Sequence, residues 1–218
     1  VGPLLKHKAD QAGVVYTLAY GDQPSLIAEQ VDWARAAGFE VVAAGKGTLY
    51  MPEFHYSTPD TVWDYYGLTA ERAAASGMNA KMFNSFLDGT KSAIEMAAVA
   101  NACDLSVPGG GLAFPPCGTS KLASTLIPKS AGGVLDHKGQ VEVVSSRARD
   151  GQDIADDLRW GVYVTFEAPS DYVKRCFADY GLLTDDSGQY SAMWRPYHLI
   201  GLELGISVAW AGLMGLPP

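Results

Sequence analysis

Two short runs of β-branched and small apolar residues flank a stretch of helical periodicity, and no other pattern constrains the fold of this chain as strongly. The runs are Val14-Val15-Tyr16-Thr17-Leu18-Ala19 and Phe39-Glu40-Val41-Val42-Ala43-Ala44, each of strand length. Between them, Pro24 suits a first helical turn, and Leu26, Ile27, Val31 and Ala34 form one apolar face up to Gly38. Strand, helix and strand with short connections predict a βαβ unit whose strands are parallel neighbours. Ligands of open α/β sheets bind beyond the carboxyl ends of the strands. Here those ends are Tyr20-Gly21-Asp22 and Gly45-Lys46-Gly47, two glycine-flanked polar turns. Tyr20, Gly21, Asp22, Gly45 and Lys46 are therefore the candidate cofactor-binding residues.

The rest of the chain lacks that regularity. Leu4 to Gln11 is helical in character and Gly13 stops it. Helical turns are expected at Thr61–Tyr66 and, capped by Thr69, at Thr69–Ala75. The glycines and prolines of residues 108–118 forbid regular structure. Lys121–Leu126 is a short helix candidate. Strands are expected at Val141–Ser146 and Trp160–Glu167, the latter alternating Val162, Val164 and Phe166 against Tyr163, Thr165 and Glu167. A helix is expected at Asp171–Phe177, and a last one at His198–Leu213 with a small-residue ridge at Gly201, Gly205 and Ala209. Strands and helices in this order give an α/β and α+β chain: the tail of a parallel sheet over residues 1–48, then a mixed α+β domain over 49–218.

Charged chemistry concentrates in residues 82–96. Residues 79–86 are expected as a short strand or turn feeding a helix that runs to about Ala102, with Asp88-Gly89-Thr90 supplying the entry signals. Three- and four-residue spacing puts Asp88, Lys91 and Glu95 on one face, while Ile94, Ala97, Ala98 and Ala100 form an opposite, packing face. A carboxylate, an ammonium and a second carboxylate along one stripe suit proton transfer to or from a hydroxyl or carbonyl. A solvated Lys–Glu pair is the bland alternative. Lys46, with glycine on each side, is a candidate for polarising an oxygen, since flanking glycines let a ligand approach the backbone. Arg195 can pair with a phosphate or carboxylate. Glu203 lies in an apolar stretch and implies a partner. His198 starts the last helix, His55 reads as loop packing between Phe54 and Tyr56, and Cys117 has no identifiable histidine partner.

Composition bounds the function classes. A net charge of −8 with no basic patch argues against nucleic acid as a partner. No apolar run is long enough to span a membrane. Cys103, Cys117 and Cys176 lack metal-ligand spacing and suit reduced thiols of a cytoplasmic protein. No G-x-G-x-x-G fingerprint is present, and Gly109-Gly110-Gly111 neither follows a strand nor opens a helix. With no initiating methionine before Val1-Gly2-Pro3 and a linker-like Gly215-Leu216-Pro217-Pro218 ending, the chain is expected to be a domain of a longer protein whose phosphate-binding turn lies upstream.

Four segments carry a resemblance: Tyr16-Thr-Leu-Ala-Tyr-Gly-Asp-Gln-Pro24, Val41-Val-Ala-Ala-Gly-Lys-Gly47, Phe83-Asn-Ser-Phe-Leu-Asp-Gly-Thr-Lys-Ser-Ala-Ile-Glu95 and Pro196-Tyr-His-Leu-Ile-Gly-Leu-Glu-Leu-Gly-Ile206. Together they resemble the homoserine-dehydrogenase-like oxidoreductases with a C-terminal SAF domain, a group that includes the deoxyxylulose-phosphate-reductoisomerase-like enzymes of isoprenoid biosynthesis. The resemblance implies a Rossmann-like portion before Val1, a SAF domain after Pro218, and a catalytic, dimerising middle domain here. Lys46 matches the lysine of the Ala-Asn-Lys strand end of homoserine dehydrogenases, with Gly45 in place of the asparagine. Asp88-Gly89-Thr90-Lys91-Ser92 stands where that family has Asn-Gly-Thr-Thr-Asn, and the added charge suits a more polar or phosphorylated substrate. The expected activity is NADP- or NAD-dependent oxidation or reduction of a small hydroxylated acid or sugar phosphate by a homodimer. Lys46, Asp88, Lys91 and Glu95 are the catalytic candidates. Asn84, Ser85, Thr90, Arg195 and His198 are those for substrate. A reductoisomerase would add a divalent metal, with Asp88 and Glu95 as oxygen ligands. The rival class is a non-catalytic substrate-binding and oligomerisation module.

Overall fold

The computed structural model describes residues 2–218. Its frame is a four-stranded sheet in the order β2-β1-β3-β4, with β1 at Glu40–Thr48, β2 at Gln140–Ser145, β3 at Val162–Glu167 and β4 at Tyr190–Arg195. β1 and β2 are parallel; β3 runs antiparallel to both β1 and β4. The fold class is thus mixed, α/β in its one parallel pair and α+β in the rest. The boundary drawn after residue 48 falls at the end of β1, whose neighbours both come from beyond it.

Both faces of the sheet are covered, which explains why its inner strands are apolar on both sides. On one face, helix α2 (Gln23–Ala36) and helix α6 (Thr90–Cys103) bury Leu26, Ile27, Val31, Met96 and Val99 against Val141, Val143, Val162, Val164 and Phe166. On the other, Leu122, Leu126, Ile127 and Leu135 pack on Val42, Val144 and Tyr163. A register shift between Val41 and Ala43 breaks the strict alternation of β1, so that Val42 and Ala43 share the second core while Ala44 returns to the first. Each such buried aliphatic or aromatic side chain contributes about 1.5–3 kcal/mol. The alternation expected for residues 162–167 holds, Val162, Val164 and Phe166 facing one core and Tyr163 the other.

Helix α1 (Gly2–Ala12), the short helices α3 (Val62–Tyr66) and α4 (Ala70–Ala75), and α7 (Leu122–Thr125) lie where helical character was expected. So does α8 (Asp171–Asp179), entered through the Ser170 hydroxyl, which accepts from the Val173 amide.

Several expectations are overturned. Val14–Ala19 is not a strand: Val14 is 58% exposed, and both edges of β1 are already taken by β2 and β3. β-Propensity alone, with no place left beside β1, made no strand. The βαβ unit is therefore absent, and the parallel pair is closed by a crossover from residue 49 to 139. Gly45-Lys46-Gly47 is strand interior rather than a turn. Glycine is required there because a Cβ on Gly45 would lie 1.8 Å from the Glu142 carbonyl oxygen, and one on Gly47 1.9 Å from that of Leu158. Residues 80–87 form a helix, α5 (Ala80–Leu87), whose cap Asn79 accepts from the Met82 amide. The last helix is short: α9 spans Leu204–Ala209 and continues as one π turn, Trp210–Met214, while Gly201, at φ 80°, sits in the turn before it. No atom outside its own helix approaches the Cβ position of Gly205, so the small-residue ridge has no close neighbour. Finally, β4 answers to no expected element.

Candidate functional site

Lys46 lies near the carboxyl end of β1, opposite Val143 of β2 and Val162 of β3, with its side chain on the face covered by α2 and α6. Its ammonium donates to the Gln23 Oε1 at 3.1 Å and pairs with the Glu95 Oε2. The Lys91 Nζ reaches the other Glu95 oxygen at 3.1 Å. Three elements thus converge: the first turn of α2, the end of β1 and the first two turns of α6. Asp22 caps α2, accepting from the Gln23 amide at 2.9 Å, and its charge also favours the Lys46 ammonium. Burial pushes Lys46 below the ordinary lysine value, and the Glu95 carboxylate is the strongest influence in the opposite direction.

Exposure orders the group. The side chains of Lys46 and Glu95 are 5% and 7% exposed, that of Lys91 30%. Lys91 is the member that meets solvent, held there by Glu95 beneath it and by the Phe86 ring 4.9 Å from its ammonium. The face of α6 turned to the core is made by Ser92, Glu95, Met96, Val99 and Cys103. The apolar face expected at Ile94 is outward, and Ile94 is 66% exposed.

Asp88 does not join Lys46. Its Oδ1 accepts from the Thr90 amide at 2.8 Å and its Oδ2 from the Asn84 side-chain amide at 2.9 Å, which closes the corner between α5 and α6. Gly89, at φ 87°, makes that corner possible. Ser85 donates within its own helix to the Met82 carbonyl, and Thr90 opens α6 with its side chain exposed. Asp88 and Glu95, the pair considered for a divalent metal, are each engaged elsewhere, Glu95 between two ammoniums. Among the described residues no three His, Cys, Asp or Glu side chains gather as a metal site.

Arg195 ends β4 opposite Val162, and so shares a row across the sheet with Lys46, about 10 Å away at ordinary strand spacing. It pairs with Glu203 at 2.5 Å and is thereby occupied. His198 bonds through Nδ1 to the Trp160 carbonyl, 2.7 Å. Tyr20 donates to Glu29 at 2.7 Å, and burial together with that carboxylate pushes its hydroxyl up to about 12. The glycines expected to admit a dinucleotide are filled by the protein itself. A Cβ on Gly21 would lie 2.8 Å from the Glu203 Cβ and 2.9 Å from the Leu199 carbonyl oxygen, and Gly45 abuts Glu142. Neither glycine leaves room for a ligand on its Cβ side.

Two buried polar residues escaped the sequence reading, Gln23 within the group and Glu142 outside it. Gln23 follows a good cap and precedes Pro24, but nothing in that context points to a lysine from a distant strand. Glu142 had a signal: a carboxylate inside the apolar run Val141–Ser146. It is 2% exposed, accepts from the amides of Ala113, Phe114 and Val143, and has its pKa raised by burial. Two surface clefts, of about 480 and 360 Å³, lie elsewhere, one beside α8 and residues 184–188, the other between residues 17–32 and 206–210.

A protein-family model described as the catalytic domain of oxidoreductase DRL matches residues 21–204, which include every residue of the Lys46 group. No curated protein matches the chain.

Proposed function

The chain belongs to the family of oxidoreductase DRL catalytic domains, and we propose that it handles the substrate and its protons in an NAD(P)-dependent oxidoreductase. The substrate class is a small hydroxylated acid or a sugar phosphate, as in homoserine-dehydrogenase-like or reductoisomerase-like enzymes. The observation that carries this reading is the convergence of Lys46, Lys91 and Glu95 from two separate elements onto one partly open group. Lys91, at the surface of the group, contacts the substrate oxygen and stabilises negative charge on it. Glu95 fixes the Lys91 ammonium in that position, and Lys46 pairs with Glu95 from behind. NAD or NADP supplies hydride when bound; since Gly21 and Gly45 are filled, the nucleotide rests on other residues. A homodimer belongs to the same proposal, supported by the apolar run 199–216, where Leu202 and Leu213 are both more than 80% exposed.

The test is turnover by the full-length protein on a panel of 2-oxo acids, hydroxy acids and ketose phosphates, each with NADH/NAD and NADPH/NADP. Lys91→Met and Glu95→Gln are expected to lower kcat about 100-fold or more. No turnover of any panel member would remove the reading, and full turnover by Lys91→Met would remove the site. The filled glycines favour one alternative, a substrate-binding and oligomerisation module. It would bind a panel member with no consumption of either nucleotide.

A further inference from the structure

His55 lies on a surface turn, yet its ring is oriented from three directions. Its Nδ1 bonds to the Asp88 carbonyl oxygen at 2.9 Å, so that nitrogen carries the proton in the neutral ring. The Tyr50 ring meets it edge-on at 5.2 Å, and that ring is stacked on Phe114 at 4.1 Å. Beneath it is Gly89, where an added Cβ would stand 3.2 Å from the His55 Cε1. An exposed histidine ordinarily keeps its rotamer freedom, and fixing it costs entropy.

The backing of this ring is itself held under strain. Phe114 adopts φ 50°, rare for a bulky residue. Its amide is bound by the buried Glu142 carboxylate, and the Arg149 guanidinium takes the carbonyls of Ala113 and Phe114 at 2.9 and 2.8 Å while lying over the Tyr50 ring. Two ionic clamps thus maintain an unfavourable backbone conformation that places an aromatic wall behind His55. The carbonyl that anchors the ring lies two residues before Thr90, the first residue of α6, and Gly89, which the ring abuts, lies two residues before Lys91. The imidazole therefore stands at the entry of the helix that carries the exposed Lys91 ammonium in its first turn.

We propose that His55 is a proton-transfer residue of the Lys91 site. With Nδ1–H committed to Asp88, Nε2 faces solvent and exchanges a proton with a substrate oxygen over the start of α6. In the reducing direction the Nε2–H bond of the imidazolium breaks and an O–H bond forms on the substrate, leaving a neutral imidazole that water reprotonates. In the oxidising direction the neutral Nε2 takes the hydroxyl proton. This rests on the reading of Lys91 and Glu95 as the substrate-facing group.

Two measurements on the full-length protein test it. In nuclear magnetic resonance of ¹⁵N-histidine-labelled protein, neutral His55 is expected as the Nδ1–H tautomer; the Nε2–H tautomer overturns the proposal. For turnover on the panel above, His55→Asn keeps a donor to the Asp88 carbonyl and deletes Nε2. It is expected to lower kcat about 100-fold or more, with KM little changed, and to remove one limb of the pH–rate profile. If Lys91→Met is inactive while His55→Asn keeps the wild-type rate and profile, this inference falls and the Lys91 site stands. If both variants keep the wild-type rate, or no panel member turns over, both fall.

Discussion

An ammonium and a carboxylate that are both more than nine-tenths buried, as at Lys46 and Glu95, each forfeit several kcal/mol of hydration, which only their mutual attraction and hydrogen bonds offset. Removing one partner is therefore more damaging than removing both. Glu95→Ala is expected to lose about 3–5 kcal/mol in urea unfolding, whereas the double variant Lys46→Met/Glu95→Leu recovers most of it. A single-variant loss under about 1 kcal/mol would mean that the pair is open to water in solution. At this scale the sequence was informative about residue type but poor about partners. Lys46, Lys91 and Glu95 stood out by their glycine context and helical spacing. Gln23 did not, because its role depends on a lysine from a strand that folds against it.

Among the elements, α2, α4 and α8 carry a start signal in their own side chains and formed where expected. Asp22 and Pro24 open α2, Ser170 opens α8, and Thr69 caps α4 by accepting from the Arg72 amide. Val14–Ala19 had the composition of a strand but found both edges of β1 taken, and residues 80–87 were taken from strand or turn to helix by the Asn79 cap and by packing of Leu87 on Met51, Phe54, Val62, Trp63 and Ala73. The glycines of β1 show the same dependence. They suggested a turn, yet they admit Glu142 and Leu158 against the strand. Gly45→Ala is thus expected to cost upward of about 3 kcal/mol, since the obstructing atom is backbone and cannot rotate away. Gly109→Ala, with no atom within 4 Å of its Cβ position, should stay within about 0.5 kcal/mol of wild type. Equal losses in thermal unfolding would contradict the close approach.

For the molecule as a whole, the buried Glu142 ties stability to pH. Burial raises its pKa above the unfolded value of 4.5, so the native state holds this proton more tightly than the unfolded chain. Its contribution to stability is fully present below pH 4.5 and is lost as pH rises through the native value. The stability of wild type relative to Glu142→Gln is therefore expected to decline from pH 4.5 toward neutrality, and a flat difference would place the carboxyl in solvent. By itself the sequence determined the mixed fold class, most helices with a capping residue, the alternation of β3, and the lysines and glutamate that gather beside α6. These are properties that a residue's own chemistry and its neighbours within a few positions impose. Only the tertiary structure decided which apolar runs became strands, that Gly21 and Gly45 are filled from within, that Asp88 caps a corner while Glu95 is buried against Lys46, and that His55 is braced at the start of α6. Each of those depends on which distant segment arrives at a given edge or face, and long-range packing leaves no periodic trace in the segment that waits for it.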